Sequence, residues 1–207
     1  MQYVKIASAL YSFRHEVGVI IGVMAALIIL PTFVTIGLLS NGVQGASDVL
    51  VSVNAVDHKV EVHNAKGELV TTLDATTTWP IKGTVTQEFG HPNPPYQLAH
   101  TGIDIDGGFG SPVTVFMVGK VLKVGEVMAG CGSHCVIIDH GFGITSIYAH
   151  MSAHKVSVGQ DVKPGDVVGL EGEEGWADGA HLHFEIQVMG IPVNPRTFMI
   201  ANPQARL

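Results

Sequence analysis

Residues 179–186 read GAHLHFEI, so His181, His183 and Glu185 alternate with Leu182, Phe184 and Ile186. That is the period of two of a β-strand, with one apolar face and one face made of two imidazoles and a carboxylate. The apolar face can pack in a core; the other suits the wall of a polar groove. Two further stretches repeat the spacing. In AHTGIDI (99–105), His100, Gly102 and Asp104 fall at i, i+2 and i+4, and in SIYAHM (146–151) Tyr148 and His150 are two apart. Three extended segments would then turn histidines and a carboxylate toward one place, where a metal ion could bridge them.

The surrounding sequence supports a β fold. Short strand candidates recur between glycines: TVTQEF, TGIDI, VTVFMVGKVLKVGEV, CVIID, GITSIYAHM, DVVGLEG and HLHFEIQV. The 25 Gly and 10 Pro are spread along the chain, as tight turns require. No amphipathic helix longer than a few turns is expected after residue 40. The expected class is all-β, an antiparallel two-layer sheet or barrel-sandwich. Eleven Lys and Arg against 18 Asp and Glu, a net charge of −7, argue against a nucleic-acid partner. Two cysteines exclude a disulfide scaffold and a four-cysteine zinc module.

The 46% hydrophobic content is concentrated in residues 17–39, an uncharged run of 23 residues. At about 1.5 Å per residue it is long enough to cross a bilayer core of about 30 Å. We read it as a transmembrane helix kinked at Pro31; a cleaved signal peptide, usually with a shorter apolar region, is the other reading. Lys5 and Arg14 precede the span and the next lysine is Lys59, which places residues 1–16 in the cytoplasm and the rest outside. Residues 40–78 are expected as a linker (41–47) and a small β-rich neck with a turn at NAKG (64–67). Residues 79–200 form the main domain, and 201–207 a tail.

Two His and one Asp are a common ligand set for zinc, leaving a fourth position for water, the open geometry of a catalytic site. Surplus histidines beside such a site are natural general acids, bases or oxyanion partners. The motifs WPIKGTVTQEFG (79–90), HTGID (100–104), IIDHGFG (137–143), YAHM (148–151), VGQDVKPGDVVG (158–169) and GAHLHFEI together resemble the M23 family of LytM or lysostaphin-like zinc endopeptidases. The resemblance covers residues 79–195. It implies a LytM-type catalytic domain, one zinc per chain on His100, Asp104 and His183, and non-ligand roles for His150 and His181 in polarising the water or stabilising the oxyanion. Spacing alone does not say which of His181 and His183 binds metal.

The substrates implied are peptide bonds of bacterial peptidoglycan, and the location a bacterial envelope, with a virion or mobile element also open. Members that lack one of these five residues act instead as wall-binding activators; all five are present here. Glu185 could orient a ligand imidazole or face solvent, and Tyr148 could line the groove or pack. Cys131-Gly-Ser-His-Cys135 could be a disulfide hairpin, which an oxidising compartment favours, three metal ligands, or a cysteine nucleophile with His134. A likeness of residues 118–127 and 158–169 to biotinyl or lipoyl carriers is read as shared architecture. The neck could be a spacer or could cover the groove, with Asn54 or Asn64 reaching the metal. His91 could stand at the groove rim. Protein partners are not legible.

Overall fold

The computed structural model describes residues 39–75, 78–92 and 98–199, together with residues 17, 21, 24 and 37. Most of the expected membrane span at 17–39, the N-terminal segment 1–16 and the tail 201–207 lie outside the described residues. Among the described residues, no helix is long and apolar enough to cross a membrane. Residues 40–207 make up one compact unit.

Among the described residues fourteen short strands build it, in the order β1 (Val51–Val53), β2 (Val60–His63), β3 (Leu69–Leu73), β4 (Thr84–Gln87), β5 (Ile103–Asp106), β6 (Pro112–Thr114), β7 (Gly119–Val124), β8 (Val136–Gly141), β9 (Ile144–Ala149), β10 (Ala153–His154), β11 (Asp161–Val162), β12 (Val167–Leu170), β13 (Leu182–Val188) and β14 (Ile191–Val193). The main sheet runs β11-β7-β8-β9-β13-β5-β4, with β14 also paired to β13. A second sheet runs β10-β12-β6, and a third is the meander β1-β2-β3. Every described pairing between these strands is antiparallel.

The alternation in β13 is realised. Leu182, Phe184, Ile186 and Val188 are fully buried in a core shared with Ile103 and Ile105 of β5, Val121 of β7, Ile138 of β8 and Val113 and Val168 of the second sheet. Phe184 meets Phe116 edge-on and Tyr148 at a tilt, each with ring centroids 5.3 Å away. Aromatic contacts of this kind add to the area buried.

Two expectations change in the neck. Residues 40–50 are helical, although 41–47 read as a linker with glycines at 42 and 45. Tertiary contacts override that weak helix propensity. Leu50 and Ser47 are buried, the Ser47 hydroxyl accepts the Asn194 N–H at 2.9 Å, and the Ser40 hydroxyl donates to the Gly90 carbonyl. The meander that follows has its turn at Asn64–Gly67, where Gly67 N–H donates to Asn64 O at 2.9 Å. Its Val51, Val60 and Val62 belong to the same core as the main sheet, so residues 49–73 are part of the folded unit.

Val60 has no exposed surface. Val60→Ala in the full-length chain should lower its unfolding free energy by about 2 kcal/mol, the cost of a cavity in a shared core. Urea denaturation followed by tryptophan fluorescence checks this; an unchanged midpoint would mean that the meander is a detached spacer.

Candidate metal centre

Register brings the site together. In β13, His183 lies opposite Asp104 of β5 on one side and opposite Ala149 of β9 on the other. Directly opposed residues project to the same face, so the imidazole and carboxylate meet. His100 precedes β5 and is held by its own backbone: its N–H donates to His91 O at 2.7 Å and its carbonyl accepts Gly90 N–H at 2.8 Å. Gly102 makes the approach possible, because a Cβ there would sit 2.4 Å from the Phe184 carbonyl oxygen.

Three ligand-type atoms result. His100 Nε2 is 2.9 Å from His183 Nδ1 and 3.1 Å from Asp104 Oδ1, and His183 Nδ1 is 2.9 Å from that oxygen. Tetrahedral zinc with bonds of about 2.0–2.1 Å separates neighbouring ligand atoms by roughly 3.3 Å, so the triangle has the size of such a site. The other ring nitrogens are spoken for. His100 Nδ1–H donates to Glu88 O at 3.2 Å, which leaves the Nε2 lone pair facing inward. His183 Nε2 is 3.5 Å from Glu185 Oε2, and that oxygen also accepts Thr101 Oγ1–H at 2.5 Å. Glu185 is thus buried behind His183, not in solvent. These donors fit a divalent borderline cation.

His150 and His181 join from the side. His150 Nδ1–H donates to Glu174 O at 2.7 Å and His181 Nδ1–H to Gly179 O at 2.9 Å, which leaves the Nε2 of each ring for other partners. Their ring centroids are 4.8 Å apart, and His181 Nε2 is 3.7 Å from Asp104 Oδ2. Both line the same pocket as the three-atom cluster, with Trp176 and Met128 on its wall.

Tyr148 is on the other side of the sheet. It lies opposite Phe184 and is fully buried, its phenol accepting the Phe116 N–H at 3.2 Å. The expected shared face of Tyr148 and His150 fails because β9 ends at Ala149 and His150 takes a left-handed backbone conformation, φ 63°. Burial raises the Tyr148 phenol to about 12.

Electrostatics follow the geometry. Burial works to raise Asp104, but its close contacts with His100 and His183 outweigh it and hold its carboxyl far below the usual range. Burial works to lower His183, yet Asp104 and Glu185 retain its proton up to about 9. Burial, then the neighbouring His183, lowers His150 to about 4, so this ring is neutral and able to accept a proton.

Other sequence candidates fall elsewhere. Asn54 bonds Glu61 Oε1 at 2.7 Å and Asn64 bonds Glu68 Oε2 at 2.7 Å, both within the meander, and neither lines the pocket. His91 contributes its carbonyl to His100. Cys131 and Cys135 have Cα atoms 5.9 Å apart and are joined to each other, with Cys131 at the pocket edge. Sequence reasoning missed Glu88 and Glu174, because each acts on a histidine through a backbone carbonyl that no side-chain motif marks.

A fold and site of this kind define a β domain with a candidate metal centre. Residues 98–195 match the profile of Peptidase family M23. Among curated relatives, the DD-carboxypeptidase/endopeptidase Mpg of Neisseria meningitidis serogroup B is 36% identical over 105 residues, 51% of this chain and 24% of that protein. The murein hydrolase activator NlpD of Escherichia coli is 33% identical over 125 residues, 60% of this chain and 31% of that one. The antimicrobial peptidase lysostaphin from Staphylococcus simulans has a similar solved fold, with TM-score 0.54 and 26% identity, covering 63% of this chain and 55% of that structure. The chain thus spans about a quarter to a third of the length of these two curated relatives.

Metal must displace the proton that Asp104 and Glu185 keep on His183, so affinity falls as pH drops below about 9. Asp104 stays ionised over this range and adds no slope. Zinc titrations should show affinity rising about tenfold per pH unit from pH 6 to 8, with close to one proton released per ion. A pH-independent affinity contradicts the assignment.

Proposed function

We propose that the chain is a zinc-dependent endopeptidase that hydrolyses peptide bonds of bacterial peptidoglycan, in stem or cross-bridge. The observation that carries this is the convergence of His100, Asp104 and His183 within 3.1 Å, beside His150 and His181, each held through Nδ1 by a backbone carbonyl. All five residues that the family resemblance assigns to catalysis are therefore side by side. One zinc per chain is held by His100, Asp104 and His183. Zinc bound there supplies a Lewis acid and lowers the pKa of a water toward about 7.

The protein groups divide the remaining work. His150 is neutral near pH 7 and takes a proton at Nε2 from the attacking water, while the Glu174 carbonyl keeps the other nitrogen protonated. His181, its Nδ1–H fixed by Gly179 O, directs Nε2 at the same space, where a proton carried on Nε2 would be donated to the oxyanion that forms on the scissile carbonyl. Glu185 orients His183 and is itself fixed by Thr101 and by Gln187 Nε2–H at 2.5 Å. The pairing of Cys131 with Cys135 is read as a structural disulfide formed outside the cytoplasm.

The reading extends to location. Residues 17–39 anchor the chain in a bacterial membrane as a single span, with 1–16 in the cytoplasm and the domain of residues 79–200 in the periplasm or wall. A second reading rests on the similarity to an activator of murein hydrolases, in which the same fold binds the wall without cutting it.

Purified peptidoglycan incubated with the full-length chain should release muropeptides, and a zinc chelator should abolish release. His150→Ala should lower the rate by at least about 100-fold while keeping one zinc. Mass spectrometry of the fragments identifies the bond. A folded, zinc-loaded chain that releases nothing but stimulates another wall hydrolase would establish the activator reading instead.

A further inference from the structure

His150 lies beyond the end of β9, so no strand positions it. Its φ of 63° places it beyond β9 in a conformation costly for a residue with a Cβ. Two loops grip it. Its N–H donates to Cys131 O at 2.8 Å, its ring Nδ1–H donates to Glu174 O at 2.7 Å, and its carbonyl accepts Glu174 N–H at 3.3 Å.

The two loops are in turn fastened to each other. Trp176 N–H donates to Gly130 O at 2.8 Å. The Glu174 carboxylate accepts both the Ser133 N–H at 2.8 Å and the Ser133 hydroxyl at 2.5 Å on one oxygen. Its second oxygen lies 3.7 Å from His134 Nε2, and His134 Nδ1 is 3.0 Å from His154 Nδ1. The backbones are in contact here: a Cβ on Gly175 would stand 2.0 Å from Gly130 O, and Gly175 has φ +74°. Ser133 and His134 lie inside the loop closed by Cys131 and Cys135. Glu174 does not line the metal-site pocket. Its carboxylate has no place in the chemistry, yet its carbonyl sets which nitrogen of His150 carries the proton.

We propose that Glu174 is a positioning residue: its carboxylate, clamped by Ser133 on the Cys131–Cys135 loop, holds its own carbonyl where it fixes the tautomer and aim of His150. The consequence for catalysis rests on the peptidase reading; the effect on His150 does not. Without the clamp, the 172–176 loop loosens, the Nδ1–H tautomer loses its acceptor, and the ring no longer presents a basic Nε2 to the pocket.

The test uses the full-length zinc-loaded chain with Glu174→Ala, Glu174→Gln, Ser133→Ala and the Ser133→Ala/Glu174→Ala pair. Long-range ¹H–¹⁵N correlation of the His150 ring, assigned by its loss in His150→Gln, reads the tautomer. Muropeptide release reads kcat and KM. In Glu174→Ala the Nδ1–H pattern should be lost and kcat should fall at least about 10-fold, with KM within about twofold and zinc retained. Glu174→Gln keeps an oxygen for Ser133 and should recover both readouts. Ser133→Ala should shift both the same way but less, and the pair should be no worse than Glu174→Ala, since both act through one contact. A wild-type His150 spectrum in Glu174→Ala, or multiplicative losses in the pair, overturns the proposal. If the wild-type chain cuts no wall peptide, the functional reading fails, and the His150 spectra alone decide this one.

Discussion

Everything in the site depends on the register of β13 between β9 and β5. Its residues alternate strictly, and a slip of one position would turn Phe184 and Ile186 into the groove and His183 and Glu185 into the core. The apolar side prevents that slip, because Leu182, Phe184, Ile186 and Val188 are all fully buried. The same register sets His183 opposite Asp104, so the packing that stabilises the fold also assembles the metal centre.

The cost of that assembly is a concentration of buried polar groups. His100, Asp104, His150, His183 and Glu185 are all buried, a placement that disfavours charge unless each group is paired. The structure meets this with layered partners. Glu88 O accepts the His100 Nδ1–H, and Glu185 and Thr101 stand behind His183. Arg196 in turn grips the Glu88 carboxylate with two bonds of 2.8 and 2.6 Å, which ties the C-terminal 3₁₀ turn (Pro195–Phe198) to the segment leading to His100. A divalent ion bound by His100, Asp104 and His183 would offset the remaining cost.

Much of this was legible in the sequence. The alternation in GAHLHFEI carried the strand, its two faces and the site, and the histidine spacing led to the residues that converge. What escaped has physical reasons. Of the two readings open for Tyr148, packing holds, because the alternation that would pair it with His150 ends at that left-handed residue. Residues 41–47 read as a linker because their helix is held by contacts distant in sequence, such as Ser47 with Asn194. Glu174 and Glu88 act through carbonyls. The anchor at 17–39 rests on the length and apolarity of that run alone.

X-ray absorption at the zinc edge on the purified chain tests the central claim most directly. The account predicts one zinc per chain whose nearest neighbours are only nitrogen and oxygen at about 2.0–2.1 Å, two of them imidazole, and loss of the bound zinc in Asp104→Ala. A sulfur shell at about 2.3 Å would move the metal to the Cys131–Cys135 loop and contradict the account.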